Sequence, residues 1–347
     1  MRFYNQKHKF YCGIDLHARF MYLCIMNQDG DILLHKNIKA NPEIFLKVVK
    51  PYLDDLVVAV ECIFTWYWIA DLCHKEKIAF VLGHALYMKA IHGTKTKNDK
   101  IDSQKIAVLL RGGMIPMSYV YPQEMRATRD LLRRRTHLMR KRSELLSHIQ
   151  NTNSQYNLPD FGKKLAYKTN RIGVEEHFED KKKKKNIQLD LALLDTYDQE
   201  LTKVEYFINK NAKIHDLSTY YLLRSIPGIG KILTLTILYE IHTIHRFEKV
   251  QQFSSYARLI RPAKESNGKK VGSANSKMGN HHLKWAFSEA ACLFLRGSEK
   301  RQKYFKRIES KHGKAKALSI LAHKLGRTAY YILKTGKPFD MDKFLNA

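Results

Sequence analysis

Apolar positions in the first third of the chain come in short runs or alternate with polar ones, which is the pattern of strands. Phe10-Tyr11-Cys12-Gly13-Ile14-Asp15 is an apolar run that ends in an acid. Residues 21–26 and 31–38 are two more strand-like runs, and Asn27-Gln28-Asp29-Gly30 between them is a hairpin turn signal. Residues 42–53 have helix spacing. Leu56-Val57-Val58-Ala59-Val60 is a β-branched run closed by Glu61. Residues 66–73 read as helix, 79–82 as strand and 102–110 as helix. Three antiparallel strands followed by strand–helix alternation predict a mixed sheet with helices on its faces.

The period changes around Pro122. Leu131, Leu138 and Leu145 are spaced by seven, and so are Met125, Leu132, Met139 and Leu146. Such a seam predicts a long helix that packs along its length. The other positions of that helix are crowded with Arg126, Arg129, Arg133, Arg134, Arg135, Arg140, Lys141 and Arg142. A second heptad run follows at Ile187, Leu194, Leu201 and Ile208, interleaved with Tyr197 and Val204. The polar stretch 151–185 between them ends in five lysines, and this run, 181–185, reads as a solvated, disordered loop that attracts phosphate without reading sequence. The two helices predict an antiparallel coiled-coil hairpin or a dimerising arm. The remainder is helical, with a break at Ile226-Pro227-Gly228-Ile229-Gly230-Lys231, a polar stretch over 262–280, and amphipathic helices at 281–296 and 316–334. The expected division is 1–118, 119–215 and 216–347.

Charge narrows the function. The 347 residues carry 61 Lys and Arg against 33 Asp and Glu, a net charge of +28. Such a field repels itself unless a polyanion neutralises it, so nucleic acid is the first expectation and an anionic membrane the second. The membrane expectation weakens because no run of about 18 apolar residues is free of charge. The first residues are not followed by a signal-peptide apolar run. The five cysteines, Cys12, Cys24, Cys62, Cys73 and Cys292, form no CxxC pair, which argues for a reducing compartment and against a zinc ribbon.

In so basic a chain the acids stand out. Asp15 and Glu61 each end a strand, and Asp99 and Asp102 lie three apart at a helix start, on one face. Hard cations such as Mg²⁺ take oxygen ligands and bridge carboxylates to phosphate oxygens. Two such ions stabilise the attacking and leaving oxygens of an in-line displacement. Taken singly, Asp15 caps a turn and Asp99 serves as the N-cap of the Asp102 helix.

Gly13-Ile14-Asp15-Leu16-His17, the Val60-Glu61-Cys62-Ile63-Phe64-Thr65-Trp66-Tyr67-Trp68 stretch and the segment from Lys95 to Ser103 that carries Asp99 and Asp102 resemble the DEDD motifs of the Piv-related insertion-sequence transposases, insertion-sequence family one-ten. The resemblance implies an α/β RNase H-like domain, similar to the RuvC Holliday-junction resolvases, followed by a central α-helical coiled coil and a mostly α-helical C-terminal transposase domain. It makes Asp15, Glu61, Asp99 and Asp102 a Mg²⁺-binding tetrad.

The segment 262–285, with Ser266-Asn267-Gly268-Lys269-Lys270 and then Lys277-Met278-Gly279-Asn280, looks like the C-terminal motif of the same family. The match puts a serine nucleophile at Ser266, with Ser273 and Ser276 as fallback candidates. The Gly-Leu that many members carry before the proline is Leu259-Ile260-Arg261 here, and Asn267 stands where many have a second serine or go straight to glycine. A serine hydroxyl needs a base, a metal or concentrated positive charge to act. Lys264, Lys269 and Lys270 supply such charge; otherwise the stretch is an ordinary basic loop.

The Pro-Gly-Ile-Gly turn resembles a helix-hairpin-helix, whose amides hold a DNA phosphate with Lys231 as charged contact, or else it is a plain packing turn. Arg133, Arg134, Arg140 and Lys141 are the further nucleic-acid candidates. Trp66, Tyr67 and Trp68 read as core of the sheet rather than base-stacking rings. His17 stands close enough to Asp15 to assist it, and His281 and His282 lie near the serine segment; none has metal-ligand spacing.

The resemblance thus implies a DNA transposase that cuts and rejoins strands through the acid tetrad, Mg²⁺ and a covalent serine intermediate. It also implies double-stranded donor and target DNA, a structured noncoding guide RNA from the same element, and a homo-oligomer, a dimer or a tetramer at synapsis. No membrane is expected, and the location is cytoplasmic, at the nucleoid. Two alternatives stay open at this point: a junction-resolving nuclease using metal and water only, and a non-enzymatic coiled-coil nucleic-acid-binding protein.

Overall fold

The alternating residues of the first third do build a sheet. The computed structural model describes residues 2–91, 98–212, 214–261, 263–273 and 278–346, with backbone alone at Lys89, Ala90, Ala263, Lys264, Glu265, Lys270 and Ser273. Strands β1 (Phe3–Tyr4), β2 (Phe10–Leu16), β3 (Phe20–Met26), β4 (Ile32–Lys39), β5 (Leu56–Glu61), β6 (Ala79–Gly83) and β7 (Ile115–Pro116) lie in the first 116 residues. Five of them form one sheet in the order β4-β3-β2-β5-β6. The β2-β3-β4 meander is antiparallel, and β5 and β6 run parallel to β2 and to each other. This is the mixed sheet that the pattern predicts. Strand β1 pairs with β7 apart from it.

Side-chain parity sorts the two faces, because successive residues of a strand point to opposite sides. Cys12, Ile14 and Leu16 join Val58, Val60, Leu23 and Ile25 in a core covered by helices α1 (Pro42–Val49) and α2 (Tyr67–Lys75). Trp66 is buried there, and Tyr67 and Trp68 pack against it, so the aromatic trio is core. The expected single helix over 42–53 ends at Val49, and Lys50–Tyr52 tighten into a 3₁₀ turn. Pro51 has no amide to continue the helical ladder.

The opposite face is formed by Tyr11, Val57, Ala59 and Val81, under α3 (Ala85–Ile91) and α4 (Asp99–Arg111). Gly13 is the reason α4 can lie so close. A Cβ at Gly13 would stand 2.3 Å from the Ala107 amide nitrogen and 2.4 Å from the Ser103 carbonyl oxygen. Both are backbone atoms that cannot swing away, so glycine is required for helix and strand to touch.

The chain divides into two compact units, Met1–Glu124 and Met125–Ala347. The helical arm and the C-terminal helices thus belong to one unit. Helices α5 (Gln123–Gln155) and α6 (Lys181–Asn211) carry the two heptad seams. Ile187, Leu194, Leu201 and Ile208 are all buried. Arg135 bonds Glu205, Arg142 bonds Asp198 and His148 bonds Asp190. As one partner moves up the chain the other moves down, so the helices run antiparallel. Met125, Leu132 and Ile208 belong to the core of the C-terminal helices, which explains why arm and C-terminal segment form one unit. The far end of the arm has its own core of Ile149, Leu165, Val174, Phe178, Ile187 and Leu194.

The lysine run corrects the sequence expectation. Residues 181–185 are the first turns of α6, not a disordered loop. Asp180 caps that helix by accepting from the Lys182 and Lys183 amides, both at 3.0 Å. Lys183 lies over the Tyr156 ring at 3.5 Å, and Lys184 pairs with Glu176. An N-cap, an acidic neighbour and an aromatic face offset the repulsion among the five cations.

The rest of the second unit holds α7 (Leu217–Arg224), α8 (Lys231–Ile241), α9 (Val250–Tyr256), strands β8 (Ala263–Ser266) and β9 (Lys269–Ser273), and helices α10 (His281–Phe294), α11 (Glu299–His312), α12 (Lys314–Thr335) and α13 (Met341–Asn346). Helix α8 is apolar on all sides and buried from Leu233 to Ile241, so it forms the centre of the C-terminal core.

Candidate functional site

Asp15 and Asp99 meet at one end of the sheet, on the α4 face. Tyr11, Gly13 and Asp15 share a parity on β2, as do Val57, Ala59 and Glu61 on β5. Ile14 pairs with Val60, and Asp15 and Glu61 are the next residues of their strands. Helix α4 brings the other pair. Its N-cap is Asn98, whose side chain accepts from the Ile101 amide at 2.8 Å, so Asp99 is the first helical residue rather than the cap. Asp99 and Asp102 sit one turn apart in the first turn of a helix pinned over Gly13.

Asp15 and Asp99 are drawn together by a residue outside the expected tetrad. His17 Nε2 lies 3.4 Å from Asp15 Oδ2 and 3.6 Å from Asp99 Oδ1. The three side chains offer donor atoms all within 4.8 Å of one another. Glu61 and Asp102 stand outside that trio, and Asp102 accepts from Lys105 Nζ at 3.1 Å. The sequence signal for His17 was its spacing of two from Asp15, which keeps it on the same face. The His17 amide bonds the Phe20 carbonyl at 3.0 Å, which carries the strand geometry past Leu16.

The electrostatics fit a cation. Burial raises the Asp15 carboxyl above its ordinary range, and the nearby Asp99 and Asp102 charges push the same way while His17 opposes them. A half-buried carboxylate facing two others is short of positive charge. Oxygen donors with one imidazole suit a divalent ion that keeps open positions for water or phosphate.

The second unit carries the serine. Strands β8 and β9 form a hairpin closed by Asn267 and Gly268, at φ +50° and +71°. Both residues are left-handed, as a two-residue hairpin turn requires. Asn-Gly is the strongest short hairpin signal, here set among basic residues. Ser266 and Lys269 pair across the turn and are exposed. The side chains of Lys264, Lys270 and Ser273, and all of Ser276, lie outside the described residues, as do Lys95, Thr96 and Lys97.

The base of this serine segment is tied shut. The Asn280 amide bonds the Tyr256 carbonyl, and Arg258 Nε donates to the Gly279 carbonyl at 2.9 Å. A Cβ at Gly279, at φ +93°, would stand 2.6 Å from the Tyr256 oxygen. The Asn280 side chain caps α10 through its oxygen and donates to Glu240 Oε2 at 2.7 Å through its nitrogen. Glu240 also accepts from Arg129 Nε at 3.0 Å and from Arg133 Nε and Nη2 at 2.6 and 2.9 Å. These partners outweigh the burial cost and hold its carboxyl at about 2. His282 beside it is pushed down to about 4, chiefly by burial.

The arginine face of α5 is therefore only partly a surface. Arg129 and Arg133 hold Glu240, Arg135 holds Glu205, and Arg142 holds Asp198, while Arg126 is buried. Lys141 pairs with Glu144. Arg134 and Arg140 are exposed. Arg140 and Lys231 line one cleft of about 950 Å³, together with Arg135, Leu233 and Trp285. The Pro-Gly-Ile-Gly turn packs the unit: Ile226 and Ile229 are buried, and a Cβ at Gly228 would meet the Phe294 amide nitrogen at 2.6 Å. Lys231 opens α8 on the exposed side of that turn.

Acids gathered at a sheet end, in a chain of net charge +28, suit the class of proteins that meet phosphate backbones. Comparison with known proteins gives a family within that class. Residues 12–157 match the DEDD transposase model of the IS110 group, described as Transposase, and residues 220–306 match the model described as Transposase IS116/IS110/IS902 family. The chain belongs to the IS110 family of transposases. It is 24% identical over 240 residues to the transposase for insertion sequence element IS1111A of Coxiella burnetii (strain RSA 493 / Nine Mile phase I). That match covers 66% of this chain and 64% of the relative. No described helix is long and apolar enough to cross a membrane.

Proposed function

We propose that this chain is a DNA transposase that cuts and rejoins strands of an insertion sequence. The observation that carries the reading is the gathering of Asp15 and Asp99 at one sheet end, with Glu61 at the end of the neighbouring strand and Asp102 one helical turn on. The strand order, with a three-stranded meander and two parallel strands, supports an RNase H-like, RuvC-like domain. Asp15, Glu61, Asp99 and Asp102 would hold Mg²⁺, which supplies charge stabilisation to a phosphoryl group in transfer.

Ser266 is the proposed nucleophile. Its Oγ–P bond forms as one ester P–O bond of the DNA backbone breaks, the serine proton passes to solvent, and the departing oxygen takes up a proton. Reversal with a second strand religates, so the chemistry needs no net energy input. Lys269 beside Ser266, and Lys264 and Lys270 in the same hairpin, balance the phosphate charge. The acids and the serine belong to different units of the chain. In this reading the protein works as a homo-oligomer, a dimer or a tetramer at synapsis. The division into a domain at 1–118, a coiled-coil arm at 119–215 and a transposase domain at 216–347 is part of the same reading.

Arg134, Arg140, Lys231 and the lysine-rich start of α6 give backbone attraction without base readout. A net charge of +28 suits donor DNA, target DNA and a structured noncoding guide RNA that reads sequence for the protein. The location is the bacterial cytoplasm, at the nucleoid.

The test is strand exchange between donor and target DNA with Mg²⁺ and the element's RNA. Wild type yields exchanged product and a covalent protein–DNA adduct. Asp102→Asn and Ser266→Ala yield neither. Full product from Ser266→Ala overturns the serine mechanism, and strands that the wild type only hydrolyses point to a metal-and-water nuclease instead. Unchanged product from Asp15→Asn overturns the catalytic role of the acids, and binding without any DNA product from the wild type leaves a binding protein.

A further inference from the structure

We propose that His17 Nε2 is itself a ligand of the divalent cation held by Asp15 and Asp99, which makes the centre a mixed nitrogen–oxygen site. The inference rests on the metal reading of the acids above and adds a residue that the tetrad lacks. Three observations carry it. The imidazole nitrogen lies 3.4 Å from an Asp15 oxygen and 3.6 Å from an Asp99 oxygen, so the ring bridges a strand carboxylate and a helix carboxylate. Donors that share one small cation stand roughly 3 Å apart, given bonds of about 2.1 Å at right angles. The spacing is close to that, whereas a histidine serving only to orient one acid needs to face only one.

The second observation is backbone placement. His17 follows Asp15 by two residues, and its amide still bonds Phe20, so the ring is delivered by the strand geometry rather than by a free loop. The third is access. The His17 side chain is 54% exposed, against 15% for Asp15, so the trio is open on the imidazole side to water or phosphate.

Imidazole changes which metal the site prefers. It is a good ligand for transition-metal divalents and a poor one for Mg²⁺, which favours oxygen. The trio therefore binds Mn²⁺ more tightly than Mg²⁺, and the excess depends on His17. The loss of Mn²⁺ affinity in His17→Gln is at least the order of 10-fold that removal of an outer-shell partner causes, with little change for Mg²⁺.

The test uses the full chain with Mn²⁺ as a paramagnetic probe. Free Mn²⁺ is titrated by electron paramagnetic resonance, and the bound ion is examined by spin-echo modulation for coupling to a ligand nitrogen. Nitrogen modulation in the wild type, absent from His17→Gln while that variant keeps its wild-type melting temperature, is the expected result. Bound Mn²⁺ that Asp15→Asn abolishes, but that shows no nitrogen modulation in the wild type, overturns the role of His17 and leaves the acid site standing. Modulation that survives in His17→Gln overturns it as well. If no Mn²⁺ binds in the trio at all, both this inference and the metal reading fall. Absence of nitrogen modulation in the wild type overturns the role of His17 without any variant, and His17→Asn takes the place of His17→Gln if that variant fails to fold.

Discussion

Two carboxylates, a buried one in the second unit and a half-buried one in the first, stand in opposite surroundings. Glu240 in α8 is surrounded by Arg129, Arg133 and Asn280, and its carboxyl is held at about 2. Asp15 at the end of β2 faces Asp99 and Asp102 with His17 as partial relief, and burial lifts its carboxyl above the ordinary range. The first acid is complete as it stands. The second is left short of positive charge. A buried acid whose partners already neutralise it organises structure, whereas one that still lacks a counter-charge is available to bind a cation.

The sharpest way to break the comparison is Glu240→Ala. It removes the carboxylate that the buried Arg129 and the part-buried Arg133 share, together with the Asn280 tether, with an expected loss of about 3–5 kcal/mol in denaturant unfolding. A loss under about 1 kcal/mol would show that Glu240 is not the hub of its unit. Next is Gly13→Ala. The new methyl meets the backbone of α4, and overpacking costs about 1–3 kcal/mol. Because α4 carries Asp99 and Asp102, divalent-metal binding weakens in the same variant; calorimetric titration that shows wild-type affinity would sink the positioning role of Gly13.

A smaller effect of opposite sign is expected from Asp15→Asn. Removing a carboxylate that its neighbours repel raises the unfolding free energy of the metal-free protein by up to about 1 kcal/mol, and its midpoint with it, while it abolishes metal binding. A lowered midpoint would contradict the picture of an under-neutralised site. Acid titration separates the two residues further. The Glu240 carboxyl lies below its ordinary value of 4.5, so its contribution to stability is present above 4.5 and is lost as pH falls towards about 2. The Asp15 carboxyl lies above its ordinary value of 3.8, so the native state binds the proton more tightly and stability falls as pH rises through that raised value. Unfolding midpoints of wild type against Glu240→Gln and Asp15→Asn, measured from pH 2 to pH 7, should therefore diverge in opposite directions.

Much of the first unit was legible because its code is local. Strand runs, the Asn27–Gly30 turn and the acids at strand ends are all written in neighbouring residues. What the sequence hid was partnership across distance. The arginines of α5 look like a solvent face, yet Arg129, Arg133, Arg135 and Arg142 find acids more than 50 positions away. The lysine run looks like a loop because like charges repel, and only the Asp180 cap, Glu176 and the Tyr156 ring make it a helix start. His17 lies two residues beyond Asp15, just past the end of β2, and only the fold brings Asp99 at a helix start to its other side. Two local signals lie inside basic stretches: the Asp180 cap before the lysine run and the Asn267-Gly268 turn between basic residues.

The closed base of the serine segment has a consequence for how this family can vary. Tyr256, Arg258, Gly279 and Asn280 fasten its two ends to each other, and Asn280 fastens them to Glu240. What lies between is a tethered loop whose helical platform does not depend on its length. The entropy of closing such a loop grows slowly, by about 0.6 kcal/mol for each doubling of length. Insertions and deletions between the two fasteners thus leave the scaffold intact and change only how far the hairpin extends, so its reach can drift in evolution, or be set by an engineer, without refolding the unit that carries it.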